Sequence, residues 1–222
     1  MMFPLQELFI KICGMTNLMD AELACSFGAN AVGFIFTQSS ERYVPPERAA
    51  SIIAHLPEHI SKIGVFENAG TQYIQSILKQ VPLSAVQLLG NNGPDDLVDF
   101  DVSVIKQFQL NQAFDIEVMR NYLVNAFLLK NQREGAGNLL PKNFHWDIAV
   151  HAKEYGRIIL SGGLNPSNIE DAVRFVQPYG VDVCSGVEKR AKEKDPVKMR
   201  DFIARARNVT LIESPDEESY DE

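Results

Sequence analysis

The residues of this chain best suited to chemistry are Lys11 and Cys13, in the stretch Phe9-Ile10-Lys11-Ile12-Cys13-Gly14-Met15-Thr16-Asn17. Apolar Phe9, Ile10 and Ile12 predict a strand that delivers the lysine and the cysteine to its carboxyl end. Gly14 permits a sharp turn there, and Thr16 or Asn17 is placed to cap a helix carrying Asp20, Ala21, Leu23 and Ala24. A thiol beside a cation and just ahead of a helix start is favoured as thiolate, the form that acts as base or nucleophile. The alternative is that Cys13 is a small buried hydrophobe, the usual fate of a free cysteine. A second group consists of glycines: Ser161-Gly162-Gly163 and Ser185-Gly186-Val187 each follow an apolar run. Backbone N–H groups and the start of a short extra helix can face an anion in such loops, so together they read as a phosphate site. The alternative is that these glycines only serve tight turns.

Short apolar runs recur at residues 8–12, 31–36, 62–66, 84–88, 102–106, 125–130, 157–161 and 181–185. Helical patterns lie between most of them: 46–56 opens with proline, 71–80 carries Ile74, Ile77 and Leu78 at helical spacing, and 115–122 and 168–176 complete the set. Eight βα units in sequence predict an α/β fold, a single (β/α)8 TIM barrel over residues 1–207. The near-continuous apolar character of the runs suits strands covered on both faces. Chemistry in such a barrel sits at the carboxyl ends of the strands. Those ends hold Cys13, Thr37 to Arg42, Glu67-Asn68, Gln87 to Gly90, Lys130, the loop at 134–137 and the two glycine loops. Residues 208–222 turn acidic and lose the apolar period, which reads as a disordered tail.

Composition narrows the classes. With 222 residues, 45 % of them hydrophobic, the chain can bury one large core. Its formal charge of −8 is concentrated in the tail, which leaves a nearly neutral body without a basic patch and excludes nucleic acid and anionic membranes as partners. Three distant cysteines form neither a disulfide framework nor a zinc site, and His55, His59, His145 and His151 lack metal-ligand spacing. No apolar run reaches membrane-spanning length, and residues 1–7 lack a secretory pattern, so the expected setting is a reduced cytoplasm. Cys25 reads as helix packing, Cys184, at a strand-eight position, as barrel lining or a reactive thiol, and Trp146 as the anchor of the helix after strand six.

Seven stretches carry a resemblance. They are Lys11-Ile12-Cys13-Gly14-Met15-Thr16, Ala31-Val32-Gly33-Phe34-Ile35-Phe36, Ser40-Glu41-Arg42-Tyr43-Val44, Ile63-Gly64-Val65-Phe66, Val86-Gln87-Leu88, Leu160-Ser161-Gly162-Gly163-Leu164-Asn165-Pro166 and Val181-Asp182-Val183-Cys184-Ser185-Gly186-Val187-Glu188. In this order and spacing the chain resembles the phosphoribosylanthranilate isomerases, single-barrel enzymes of tryptophan biosynthesis. The resemblance implies an Amadori rearrangement of N-(5-phosphoribosyl)anthranilate to an aminoketose, without metal or cofactor. A general acid opens the furanose ring to a Schiff base, and a general base removes the proton from ribose C2. The family's base falls on Cys13, and its reader of the anthranilate carboxylate falls on Arg42, whose planar fork can donate two hydrogen bonds. Gly162, Gly163, Ser185 and Gly186 fall in the phosphate loops, and Lys11, Gln87 and Asp182 are the further substrate-binding candidates.

The family's general acid is an aspartate at the end of strand six, where this chain has Lys130. Three more departures lie on the same face: Leu89 replaces a histidine, the following glycine-rich loop reads Glu134-Gly135-Ala136-Gly137, and Phe144-His145-Trp146 replaces Phe-Asp-Trp. Three readings stay open: Lys130 is the acid, Glu134 is a relocated acid, or ring opening is no longer catalysed. Accordingly there are rivals to an isomerase, monomeric or homodimeric. One is a catalytically degenerate barrel that binds a phosphorylated ligand or a protein, and another is a phospho-sugar enzyme using Lys130 as Schiff-base nucleophile.

Overall fold

Strand β1 (Phe9–Cys13) pairs in parallel with β2 (Ala31–Ile35) on one side and with the last barrel strand, β8 (Gly180–Val183), on the other. Between them run β3 (Ser61–Glu67), β4 (Ala85–Leu89), β5 (Ser103–Leu110), β6 (Ala126–Asn131) and β7 (Ile158–Ser161), each parallel to its sequence neighbour. The result, in a computed structural model that describes residues 7–97, 100–111, 113–131 and 144–209, is a closed eight-stranded barrel. No helix among these residues is long and apolar enough to cross a membrane.

Alternation along the strands divides the apolar residues into two cores. Ala31, Ile63, Ala85, Ile105, Ala126, Leu128 and Ile159 fill the barrel interior. Ile10, Ile12, Phe34, Phe127, Leu129 and Val181 face outward into the larger core beneath the helices. Both faces are covered, which is why the strands read as unbroken apolar runs. The same alternation puts polar residues on the inner face near the carboxyl ends, above the apolar plug.

The helices start where their caps dictate. Asn17 Oδ1 accepts from the Asp20 N–H to begin α1 (Leu18–Ser26), whereas Thr16 donates to the Lys192 carbonyl instead. Pro46 opens α2 (Pro46–Ile53), and α3 (Thr71–Leu78) follows β3. The helix after β6, α4 (Phe144–Ala152), carries half-buried Trp146 against Phe175 of α5 (Ile169–Val176). Asp195 caps α6 (Pro196–Arg207), which buries Met199, Phe202, Ile203 and Ala206.

Several expectations need correction. Residues 115–122 do not make an α-helix but a 3-10 helix, Ile116–Asn121, because only Met119 is buried and so narrow an apolar face gives packing little to hold. Strand eight stops at Val183, leaving Cys184 and Ser185 beyond it, and Arg157 lies outside β7. A hairpin absent from the sequence reading, β9 (Glu188–Arg190) with β10 (Glu193–Lys194), fills the connection between β8 and α6. Asn208 caps α6 and Val209 packs into the core, so the barrel extends past residue 207. Residues 1–6, the 134–137 loop with Glu134, and the tail at 210–222 lie outside the described residues.

At the amino ends of the strands three side chains repeat one contact. Asn30, Ser84 and Asn125, each just ahead of β2, β4 or β6, accept the N–H of Ile10, Lys62 and Val104 on the preceding strand at 2.9, 2.9 and 2.8 Å. Removing one leaves a strand N–H without its acceptor. Asn30→Ala is expected to destabilise the fold by about 1–3 kcal/mol, read as a lower urea midpoint at unchanged slope.

Candidate active site

A cavity of about 480 Å³ opens at the carboxyl ends of the barrel strands, within the range of small-molecule sites. Alternation brings Cys13, Gln87, Gln107, Lys130, Ser161 and Asp182 to its wall, and the loops add Arg42, Gly162, Gly163, Ser185 and Gly186. Of the residues given catalytic, substrate-binding or phosphate-binding roles by the resemblance, Lys11 is not part of the lining, and of the strand-end residues Asn68 and Gly90 also stand outside it. The Lys11 side chain is fully buried one layer below Cys13, with Nζ 2.7 Å from Asp182 Oδ1. The other oxygen of Asp182 accepts from Ser161 Oγ at 2.9 Å.

This layer prepares the thiol above it. Burial alone would drive Lys11 to give up its proton, but Asp182 and Cys13 outweigh burial and hold its pKa well above the ordinary lysine range. Cys13 is brought down to about 6: a hydrogen bond from the Cys184 thiol does most, burial opposes it, and the charge of Lys11 assists. Cys184, the donor in that bond and itself buried, is pushed up. Of the pair, Cys13, with the Lys11 ammonium beneath it, is the thiol pushed toward thiolate, and Cys184 lines the cavity beside it.

Arg42 stands on the loop after β2, and Glu188 at the start of the hairpin grips it. Nε lies 2.8 Å from Oε1 and Nη2 lies 2.6 Å from Oε2, a two-bond pairing that raises the arginine pKa. Among the described residues Nη1 makes no hydrogen bond, so the end of the fork formed by Nη1 and Nη2 keeps donors for a ligand carboxylate. Lys194, buried on β10, reaches Glu188 Oε1 at 3.1 Å and the Cys184 carbonyl at 3.0 Å. Burial pushes Glu188 up, but its bonds to Arg42 and Lys194 prevail and hold it below the usual carboxylate range.

Lys130 occupies the inner face near the end of β6, in register with Ser161. Its side chain is exposed at the cavity, and its ammonium has no ion-pair partner among the described residues. On the neighbouring strands β4 and β5, Gln87 Nε2 donates to Gln107 Oε1 at 2.7 Å, while the buried Gln87 Oε1 has no partner among the described residues. Gly162 and Gly163 both take positive φ, +85° and +73°. A Cβ on Gly162 would sit 2.5 Å from the Asn131 nitrogen, and one on Gly186 would sit 1.8 Å from the Leu164 carbonyl oxygen, so only glycine lets these loops close together. His55, His59 and His151 are not part of the lining, and among the described residues no group of three or more His, Cys, Asp or Glu is placed to hold a metal ion.

The family model for N-(5'-phosphoribosyl)anthranilate isomerase matches residues 10–205. The chain belongs to that family. It is 44 % identical over 200 residues to N-(5'-phosphoribosyl)anthranilate isomerase from Pelobacter propionicus, covering 90 % of this chain and 96 % of the relative. It is 41 % identical to the Geobacter metallireducens isomerase over 198 residues, 89 % of this chain and 98 % of the relative. Among solved structures, the Thermotoga maritima phosphoribosylanthranilate isomerase superposes with a TM-score of 0.81 at 36 % identity, over 90 % of this chain and 98 % of that one. A phosphoribosylanthranilate isomerase in complex with reduced 1-(o-carboxyphenylamino)-1-deoxyribulose 5-phosphate superposes over the same shares with a TM-score of 0.79 at 34 % identity.

Glu188, Lys194, Gln107 and the thiol partnership of Cys184 are the site features that sequence reasoning missed. A carboxylate that holds an arginine edge fixes the arginine in place, so its loss is felt in binding first. Glu188→Gln is expected to raise KM about tenfold with a smaller change in kcat, measured by steady-state kinetics.

Proposed function

We propose that this protein converts N-(5-phosphoribosyl)anthranilate to 1-(2-carboxyphenylamino)-1-deoxyribulose 5-phosphate, the isomerase step of tryptophan biosynthesis, with Cys13 as general base and Lys130 as general acid. The observation that carries this reading is the Cys13 thiolate on the wall of a cavity that also holds Arg42, Lys130 and both glycine loops. The enzyme works in the cytoplasm as a monomer or homodimer.

In this reading the free end of the Arg42 fork takes the anthranilate carboxylate, and the N–H groups around Gly162, Gly163, Ser185 and Gly186 take the phosphate. The unpartnered Gln87 Oε1 accepts from a ribose hydroxyl, and Asp182 does the same from the cavity floor. The Lys130 ammonium gives a proton to the furanose ring oxygen as the C1–O bond breaks, leaving the C1–N Schiff base. The Cys13 thiolate then removes the proton from C2, and the electron pair moves to form the C1–C2 enolamine. Proton return to C1 with loss of the O2 proton gives the ketone. Lys11 serves the thiol rather than the substrate, since its charge is applied beneath Cys13.

The rival reading, a degenerate barrel with only a phosphate site, draws on Lys130 and Leu89 standing where the family places its aspartate and histidine. Turnover of freshly prepared phosphoribosylanthranilate, followed by its fluorescence decay, separates the two. Wild type is expected to be active and Cys13→Ala inactive. Lys130→Met should lose about 10²- to 10⁴-fold in kcat/KM, the usual contribution of a general acid, while Lys130→Asp keeps activity. An inactive wild type that gains activity in Lys130→Asp favours the degenerate barrel.

The thiolate also fixes a pH dependence. Because the base is the deprotonated form, kcat/KM is expected to fall as pH drops through about 6. Cys184→Ala removes the hydrogen bond that does most to lower Cys13, so the acid limb moves up toward the ordinary thiol value of about 8.5.

A further inference from the structure

Isomerisation needs one sulfur, yet the site holds two in contact. The register of β1 on β8 ends with Ile12 paired to Val183, and Cys13 and Cys184 are the residues that directly follow on the two strands, at the seam where the barrel closes. Adjacent strands lie about 4.8 Å apart, inside the roughly 4.4–6.8 Å over which a disulfide spans two Cα atoms. Both thiols line the same cavity, and each bears on the ionisation of the other. Glycines make the room: a Cβ on Gly33 would stand 2.8 Å from Cys13 Sγ, and one on Gly14 would stand 2.9 Å from Cys184 Sγ. Lys194 Nζ stands 3.8 Å from Cys184 Sγ on the side away from solvent.

We propose that Cys13 and Cys184 form a reversible disulfide when the protein meets hydrogen peroxide, switching the isomerase off and sparing its base from irreversible oxidation. The consequence for activity rests on Cys13 being the base. The Cys13 thiolate attacks the peroxide, its S–O bond forms as the O–O bond breaks, and hydroxide leaves, giving a sulfenic acid. Cys184 then attacks the Cys13 sulfur: the S–S bond forms, the S–O bond breaks, and the departing hydroxide takes the thiol proton as water. The two sulfurs each give one electron, and the peroxide becomes two waters. The first step also readies the second. What chiefly holds the Cys184 proton in place is its bond to the Cys13 thiolate, and a neutral sulfenic acid no longer opposes thiolate formation at Cys184 beside the Lys194 ammonium.

The test uses the Cys25→Ser protein, in which only these two thiols remain, treated with hydrogen peroxide and compared with its own untreated sample. Peptide mass spectrometry is expected to show the Cys13 and Cys184 peptides linked with loss of two hydrogens. Isomerase activity should fall in proportion to the linked fraction and return on dithiothreitol. With Cys184→Ser added, the same treatment should carry Cys13 to the sulfinic acid, a gain of two oxygens, with a loss that dithiothreitol does not reverse. Unlinked, overoxidised Cys13 in the two-thiol protein would overturn the proposal. The linkage is read by mass, so an untreated protein that fails to isomerise would overturn the function while leaving the disulfide to be judged separately.

Discussion

The pair formed by Lys11 and Asp182 is what the site stands on. It joins the first and last strands at the seam of the barrel, with both side chains out of water. A lone charge there would be untenable, and removing one member of such a pair typically costs about 3–5 kcal/mol. The second oxygen of Asp182 is satisfied by Ser161 on β7, so one carboxylate ties three consecutive strands, β7, β8 and β1, at the level just below the cavity. The ammonium is thereby fixed under Cys13, where it acts on the thiol without being open to substrate.

Two cations favour ionisation of Cys13, Lys11 beneath it and Lys194 on the hairpin, while the charge of Asp182 opposes it. Glu188 is the hub of the upper half, holding Arg42 with one edge and Lys194 with the oxygen they share. Because Glu188 occupies the Nε edge of Arg42, the arginine is held in one orientation before a ligand arrives, and less rotamer freedom is left to lose on binding.

The barrel was legible because its strands obey one simple rule: covered on both faces, they read as apolar runs, and each later proved to be a strand near its expected place. Lys130 was named from its place at the end of strand six, and it shares the inner face with Ala126 and Leu128, which point into the interior core. The hairpin was not legible. Its inward residues are Glu188 and Lys194, so it carries no apolar alternation to detect, and the turn is made by Lys192 at a φ of +70° without glycine. Cys184 was misplaced for a related reason. The apolar run continues through Val183 into Cys184, whereas the hydrogen-bonded strand ends at Val183 and the chain turns at Cys184 toward Cys13.

In the proposed reading, Lys130 changes the way the acid is supplied rather than the need for one. A carboxylic acid that donates a proton at neutral pH must be kept protonated by its surroundings, through burial or a neighbouring negative charge. The Lys130 side chain is instead exposed at the cavity, so the wall around strand six stays open to solvent. The substitution of Leu89 for histidine fits the same shift, because a wall that no longer tunes a carboxyl needs no second titrating group at the end of β4. The substrate is itself an anion at both ends. A cation between the arginine fork and the phosphate loops stabilises the bound state as well as the departing ring oxygen, which couples binding to ring opening in one side chain.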